Sequence, residues 1–135
     1  MKTVLFSTGV ILMLMIAACK KSDVTPVTPQ SRIQAKWTHA STAALYYYNG
    51  ASNTFNFVGQ PGEYFDFRGD GKVYFYMGGS YDTTTYGMIN DNQVWMNANT
   101  DIYDIKVLTS TDLQLYRKEV VSPIEYNENT INLKK

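Results

Sequence analysis

From about residue 36 onward, apolar and polar side chains alternate with a period of two, the signature of strands with one buried face. In Tyr64-Phe65-Asp66-Phe67-Arg68, Phe65 and Phe67 share one face, with Tyr64, Asp66 and Arg68 on the other. Gly69-Asp70-Gly71 supplies the positive-φ positions of a tight turn, and Lys72 to Met77 alternates again with Val73, Phe75 and Met77 in phase. The same rhythm predicts further hairpins. Lys36–Tyr48 and Thr54–Val58 flank Asn49-Gly50, Thr83–Ile89 and Gln93–Met96 flank Asn90-Asp91-Asn92, and Ile102–Leu108 and Asp112–Tyr116 flank Thr109-Ser110-Thr111. A last pair, Ile124–Tyr126 and Ile131–Leu133, flanks Asn127-Glu128-Asn129. No long helical stripe interrupts them. Short strands at this spacing indicate an all-β sandwich or barrel. Consecutive hairpins favour up-and-down order, and closing the sheet removes its exposed edges.

The N-terminal residues have a different pattern. After Met1-Lys2, Val4 to Ala18 is apolar apart from Ser7, Thr8 and Gly9. That is shorter than the roughly 20 residues of a membrane-crossing helix, and it ends in small residues as secretory signals do. Ile16-Ala17-Ala18-Cys19 resembles the lipobox of bacterial lipoproteins, an aliphatic residue and two small ones before a cysteine. The resemblance implies a signal peptide over 1–18, removal of that segment, and a diacylglyceryl group on Cys19 with acylation (palmitate or a similar chain) of the new amino terminus. Two or more chains are needed for stable anchoring, since one binds membranes only marginally. Cys19 is the sole cysteine, so no disulfide staples the domain. Residues 19–31, with Lys20, Lys21, Thr25-Pro26 and Thr28-Pro29, read as a lipidated, semi-rigid tether. Residues 32–135 then form a single domain with a modest core.

Within that domain, Ala35-Lys36-Trp37, Tyr64 to Val73, Tyr86-Gly87-Met88-Ile89-Asn90 with Val94-Trp95-Met96, and Tyr103 to Leu108 with Leu113-Gln114-Leu115 occur in an order that resembles the lipocalin-like domains of small bacterial lipoproteins. That family usually has glycine before the opening tryptophan, where this chain has Lys36. The resemblance implies a small up-and-down antiparallel β-barrel of about eight strands, Trp37 packed across one end, and an apolar small-molecule pocket. Alternation aims Phe65, Phe67, Val73, Phe75, Met77, Ile105, Val107, Leu113 and Leu115 at the lumen. Of these, Phe65, Phe67, Phe75, Met77, Ile105 and Leu113 are the candidate ligand-binding residues. Their bulk leaves room only for a narrow pocket near one mouth, not a deep cup.

Charge and candidate chemistry narrow the functional classes. Basic and acidic residues balance at 12 each, with no basic stripe to follow phosphates, which argues against a nucleic-acid partner. His39 is the one histidine and stands in no metal-ligand cluster, so neither a metal, a cofactor nor a catalytic residue is assigned and the chain is not read as an enzyme. Carboxylates pair loosely as Asp66 with Asp70, Asp101 with Asp104, and Glu125 with Glu128, but Asp70 belongs to its turn and Asp101, Glu125 and Glu128 fall near turns or strand ends. Arg68-Gly69-Asp70 spells an adhesion tripeptide, but a glycine turn needs the same letters for steric reasons. Eleven tyrosines, six phenylalanines and two tryptophans are the distinctive feature. Tyr64, Tyr74, Tyr76 and Trp95 are out of phase with the core, and serve either as ordinary strand residues or as an outward surface for a protein or glycan. Two functions follow as expectations. One is a lipid-anchored binder of a small apolar or amphipathic ligand in the cell envelope, with Lys20-Lys21 favouring the outer membrane. The other is an unliganded interaction module.

Overall fold

The computed structural model describes residues 27–135. The expected signal peptide 1–18, Cys19 and tether residues 20–26 lie outside the described residues. A five-residue helix α1 (Pro29–Ile33) precedes nine strands: β1 (Lys36–Tyr48), β2 (Ala51–Val58), β3 (Tyr64–Phe67), β4 (Lys72–Met77), β5 (Ser80–Asn90), β6 (Gln93–Met96), β7 (Asp101–Leu108), β8 (Asp112–Ser122) and β9 (Glu125–Lys134). Helix α1 takes up residues 29–31, which the sequence pattern assigns to the tether; Thr28 caps it by accepting from the Ser31 amide.

Strands β3 to β9 pair antiparallel in chain order, and β1 closes the ring by pairing β3 on one side and β9 on the other. The result is a closed, eight-stranded antiparallel barrel, in the up-and-down order that consecutive hairpins favour and with the strand number expected from the resemblance. Strand β2 is the ninth and lies outside the ring. It pairs only with residues 41–48 of β1, across the Asn49-Gly50 turn, whose φ angles of 47° and 88° are the left-handed values such a turn requires.

The handover on β1 is a local device. Residues 36–38 pair with β3, a bulge falls between His39 and Ser41, and from Ser41 the same edge pairs with β2. Gly59, at the end of β2, presses its backbone on that bulge: a Cβ there would lie 1.9 Å from the His39 carbonyl oxygen, so no other residue fits.

Beyond the rim the chain continues as sheet. Pairing of β7 with β8 stops at Asp104–Tyr116, yet β8 and β9 remain paired out to Ser122–Glu125. With β1 and β2 they make a four-stranded extension above one side of the barrel. This overturns the expected turn at Asn127-Glu128-Asn129, which lies inside β9. Its backbone has partners on both sides: Asn127 faces Tyr46 and Glu119, and Asn129 faces Ala44 and Arg117. The reversal falls instead at Pro123, which has no N–H to give a ladder. Strands β2 and β5 likewise start earlier than alternation alone suggests, at Ala51 and Ser80, the latter directly after a Gly78-Gly79 turn.

A second correction concerns Val107. A bulge between Ile105 and Val107 reverses the inward–outward phase, leaving Val107 38% exposed on the outer wall while Leu108 packs on the core. A one-residue irregularity flips every side chain beyond it.

One end of the barrel is sealed. Ile33 from α1 and Trp37 are both 0% exposed, and the Trp37 indole N–H donates to the Ile33 carbonyl at 2.9 Å. The Lys135 ammonium lies 4.3 Å from the centre of the Trp37 ring. Phe67, Val73, Val94, Leu113, Leu115 and Leu133 complete a dry core, with Tyr86 edge-on to Phe67 and its hydroxyl donating to the Arg68 carbonyl at 2.8 Å.

Candidate functional site

The other end is open. A cavity of about 530 Å³ sits in its mouth, with Phe65, Phe75, Met96, Tyr103 and Ile131 as apolar lining and Asp82, Thr83, Thr84, Asn97 and Asp101 as polar lining. Its size falls in the usual range for small-ligand sites, about 300–1,000 Å³. Six strands of the ring contribute, each through residues in phase with the core: Phe65 on β3, Phe75 on β4, Thr84 on β5, Met96 on β6, Tyr103 on β7 and Ile131 on β9. Phe65 and Phe75 face each other across β3 and β4 with ring centres 5.5 Å apart and planes 18° apart, a stacked pair.

The polar side of the mouth is held by an ion-pair cluster. Arg117, on β8 where β7 no longer covers it, places Nη2 3.0 Å from Asp101 and 3.4 Å from Glu119. Burial raises the pKa of the Tyr103 phenol, and Asp101 adds to the rise against the opposing pull of Arg117. Tyr103 therefore stays neutral and able to donate a hydrogen bond at any physiological pH.

The candidate binding residues named from sequence divide by depth. Phe65 and Phe75 meet in the mouth. Phe67 and Leu113, each 1% exposed, are deep in the sealed core, while Met77 and Ile105 pack against that core half-buried. Asp82, Met96, Asp101, Tyr103 and Ile131 were missed. The signal was present: each lies an even number of residues from a recognised or sealed core position on its own strand, as with Asp101-Tyr103-Ile105 and Ile131-Leu133.

A second polar cluster lies beside the β1 bulge. His39, which the sequence pattern places in no cluster of chemical groups, is only 3% exposed and has two side-chain partners. Its Nδ1 is 2.9 Å from Glu63 Oε2 and its Nε2 is 2.8 Å from the Thr42 hydroxyl. Glu63 also accepts from the Gly78 amide at 2.8 Å and the Gln60 amide at 3.0 Å. These amides, Gly78 first, together with His39 hold the Glu63 carboxyl down at about 2. An ionised carboxylate can only accept, so His39 Nδ1 carries a proton, and in the neutral ring Nε2 accepts from Thr42. The carboxylate thereby ties β1, the 59–63 loop and the β4–β5 turn together at the rim.

Elsewhere the surface offers two further features. A hollow of about 710 Å³ beside the Asp91-Asn92 turn is a polar groove on the outer wall, lined by Asn90, Gln93, Asp104 and Lys106 among others. The tyrosines expected to face outward do so: Tyr64 and Tyr76 are cross-strand neighbours with rings 6.4 Å apart, and Tyr81 extends the row at 4.5 Å. Trp95, also outward, covers Gly87, where a Cβ would lie 2.7 Å from the indole. Among the described residues no group of three His, Cys, Asp or Glu side chains is placed to hold a metal ion, and no helix is long and apolar enough to cross a membrane. No protein-family model, curated protein or solved structure matched the chain, so the functional reading rests on the barrel and its mouth.

Proposed function

We propose that this is a lipid-anchored, lipocalin-like binding protein of the bacterial cell envelope, holding one small amphipathic molecule in the mouth of its barrel. The observation that carries the reading is the cavity itself, a stacked phenylalanine floor under a polar rim in a barrel sealed at its other end. A few placed polar groups over an apolar floor is the usual make-up of a small-molecule site. The anchor reading rests on the Ile16–Cys19 motif, with Lys20-Lys21 favouring the outer membrane. It fits the geometry of the domain. Val27 shares a hollow with the β7–β8 turn and Lys135 at the sealed end, so the chain enters from that side. A lipid on Cys19 would therefore connect to the domain from its sealed end, opposite the mouth.

The test is titration of the purified protein with an environment-sensitive apolar dye, followed by competition with short amphiphiles. Saturable binding that Phe75→Trp weakens supports a ligand in the mouth. A folded protein that binds no probe would instead favour an interaction module. The observation for that second reading is β2, whose eight residues are all exposed and which offers Phe55, Phe57 and Val58 on an unpaired edge. Replacing Cys19 with Ala tests the anchor: acyl labelling should vanish and uncleaved precursor should accumulate.

A further inference from the structure

We infer that the molecule held at the mouth is a cationic amphiphile, an ammonium-type head on a short apolar body; this rests on the mouth being a ligand site, as proposed above. Among the described residues, the only charged side chains lining the cavity are Asp82 and Asp101. Asp101 meets Arg117, but the same guanidinium also serves Glu119, so one cation is shared by two carboxylates. Asp82 has no ion-pair partner among the described residues, its Oδ1 accepting only from the Thr83 amide at 2.7 Å. The mouth is left with an excess of negative charge.

Among the described residues, the other cations that could offset this excess are placed elsewhere. Lys36, Arg68, Lys106 and Lys118 lie over the rings of Tyr64, Tyr74, Tyr116 and Tyr126, at 3.8, 4.1, 4.9 and 3.6 Å, on the outer wall and the extension. Lys135 covers Trp37, and Arg32, Lys72 and Lys134 belong to the sealed end. An anionic head would therefore face Asp82 directly and compete with two carboxylates for Arg117. A cationic head meets Asp82 and Asp101 instead. The aromatic faces of Phe65, Phe75 and Tyr103 favour it further, because ring quadrupoles attract ammonium groups.

The experiment compares decylammonium, decanol and decanoate as competitors for the dye on the purified protein at low salt. Each is also run on Asp82→Asn, on Phe75→Trp, and on Asp91→Asn as an outer-wall control, with urea midpoints confirming that every variant is folded. Decylammonium should bind about fivefold tighter than decanol and about twenty-fold tighter than decanoate, as expected for charge pairs about 4 Å apart in a largely aqueous setting. The preference should shrink about fivefold in Asp82→Asn, persist in Asp91→Asn, and fade as salt is raised toward 1 M. Equal affinity for the three probes, or a preference that Asp82→Asn leaves intact, overturns the cationic head group while leaving the pocket standing. Failure of all three to bind, or binding that Phe75→Trp does not weaken, overturns the pocket itself.

Discussion

The two ends of this barrel are built from the same alternating strands, yet they solve opposite problems. At the sealed end a short helix drops Ile33 onto Trp37, and Phe67, Leu113 and Leu133 close round them with at most 1% exposure each. At the open end the in-phase positions are a mixture, with Phe65 and Met96 beside Asp82, Asp101 and Thr84. Above the rim the sheet leaves aromatic side chains in solvent, Phe55 at 53% and Phe57 at 56% exposure. Apolar burial is concentrated at one end and polar and charged side chains at the other. A barrel can separate them because each strand passes through both, so a well-packed lower half fixes the geometry of a wet upper half.

The sharpest way to break that division is at Trp37. Trp37→Ala removes a fully buried ring and the indole bond to Ile33, and should cost about 3–5 kcal/mol in urea unfolding. A small domain has only about 5–15 kcal/mol in total, so the variant should be close to unfolding. A loss under about 1 kcal/mol would mean that the sealed end is not where stability resides.

The rim makes its own contribution through Glu63, and pH isolates it. Its carboxyl titrates near 4.5 in an unfolded chain and at about 2 when folded. The unfolded state therefore binds the proton first as pH falls, so the stabilisation is fully present above about 4.5 and declines progressively toward 2. Urea midpoints measured from pH 5 to pH 2 should fall more steeply for the native protein than for Glu63→Gln, which cannot titrate. Parallel curves would show that the staple between β1, the loop and the β4–β5 turn does not form.

Smaller effects are expected inside the mouth. Phe75→Trp adds bulk beside Phe65 and should weaken dye binding about tenfold or more while costing about 1 kcal/mol or less, because the site borders an open cavity. Smallest of all is Phe57→Ser on β2. With more than half its surface already in water, it should shift stability within about 0.5 kcal/mol, against several for a like change at Phe67. If it raises solubility as well, the exposed edge is the domain's weak point for association.

The alternation of Phe65-Asp66-Phe67 and Val73-Tyr74-Phe75 was legible without any structure, because a period of two is a local property of strand geometry. The same holds for the Asn49-Gly50 and Gly69-Asp70-Gly71 turns, whose residues suit left-handed backbone, and for the outward phase of Tyr64 and Tyr76. Together these gave the barrel class. Bulges were not legible. Nothing in Ile105-Lys106-Val107 marks the extra residue that turns Val107 outward, since a bulge relieves a mismatch between neighbouring strands and exists only once they pair. The Asn127-Glu128-Asn129 segment misled for a related reason: turn-tolerant residues make a turn only where no ladder claims their backbone, and β1 and β8 claim it on both sides. The partners of His39 were equally hidden. Glu63 lies 24 residues away and Gly78 a further 15, and barrel closure alone brings the three elements to one point. The amino-acid order by itself thus determined which faces would be buried along the regular strands. Where the barrel is sealed, where it opens, and which carboxylates meet at its mouth were decided by closure, because those are contacts between strands that no local pattern encodes.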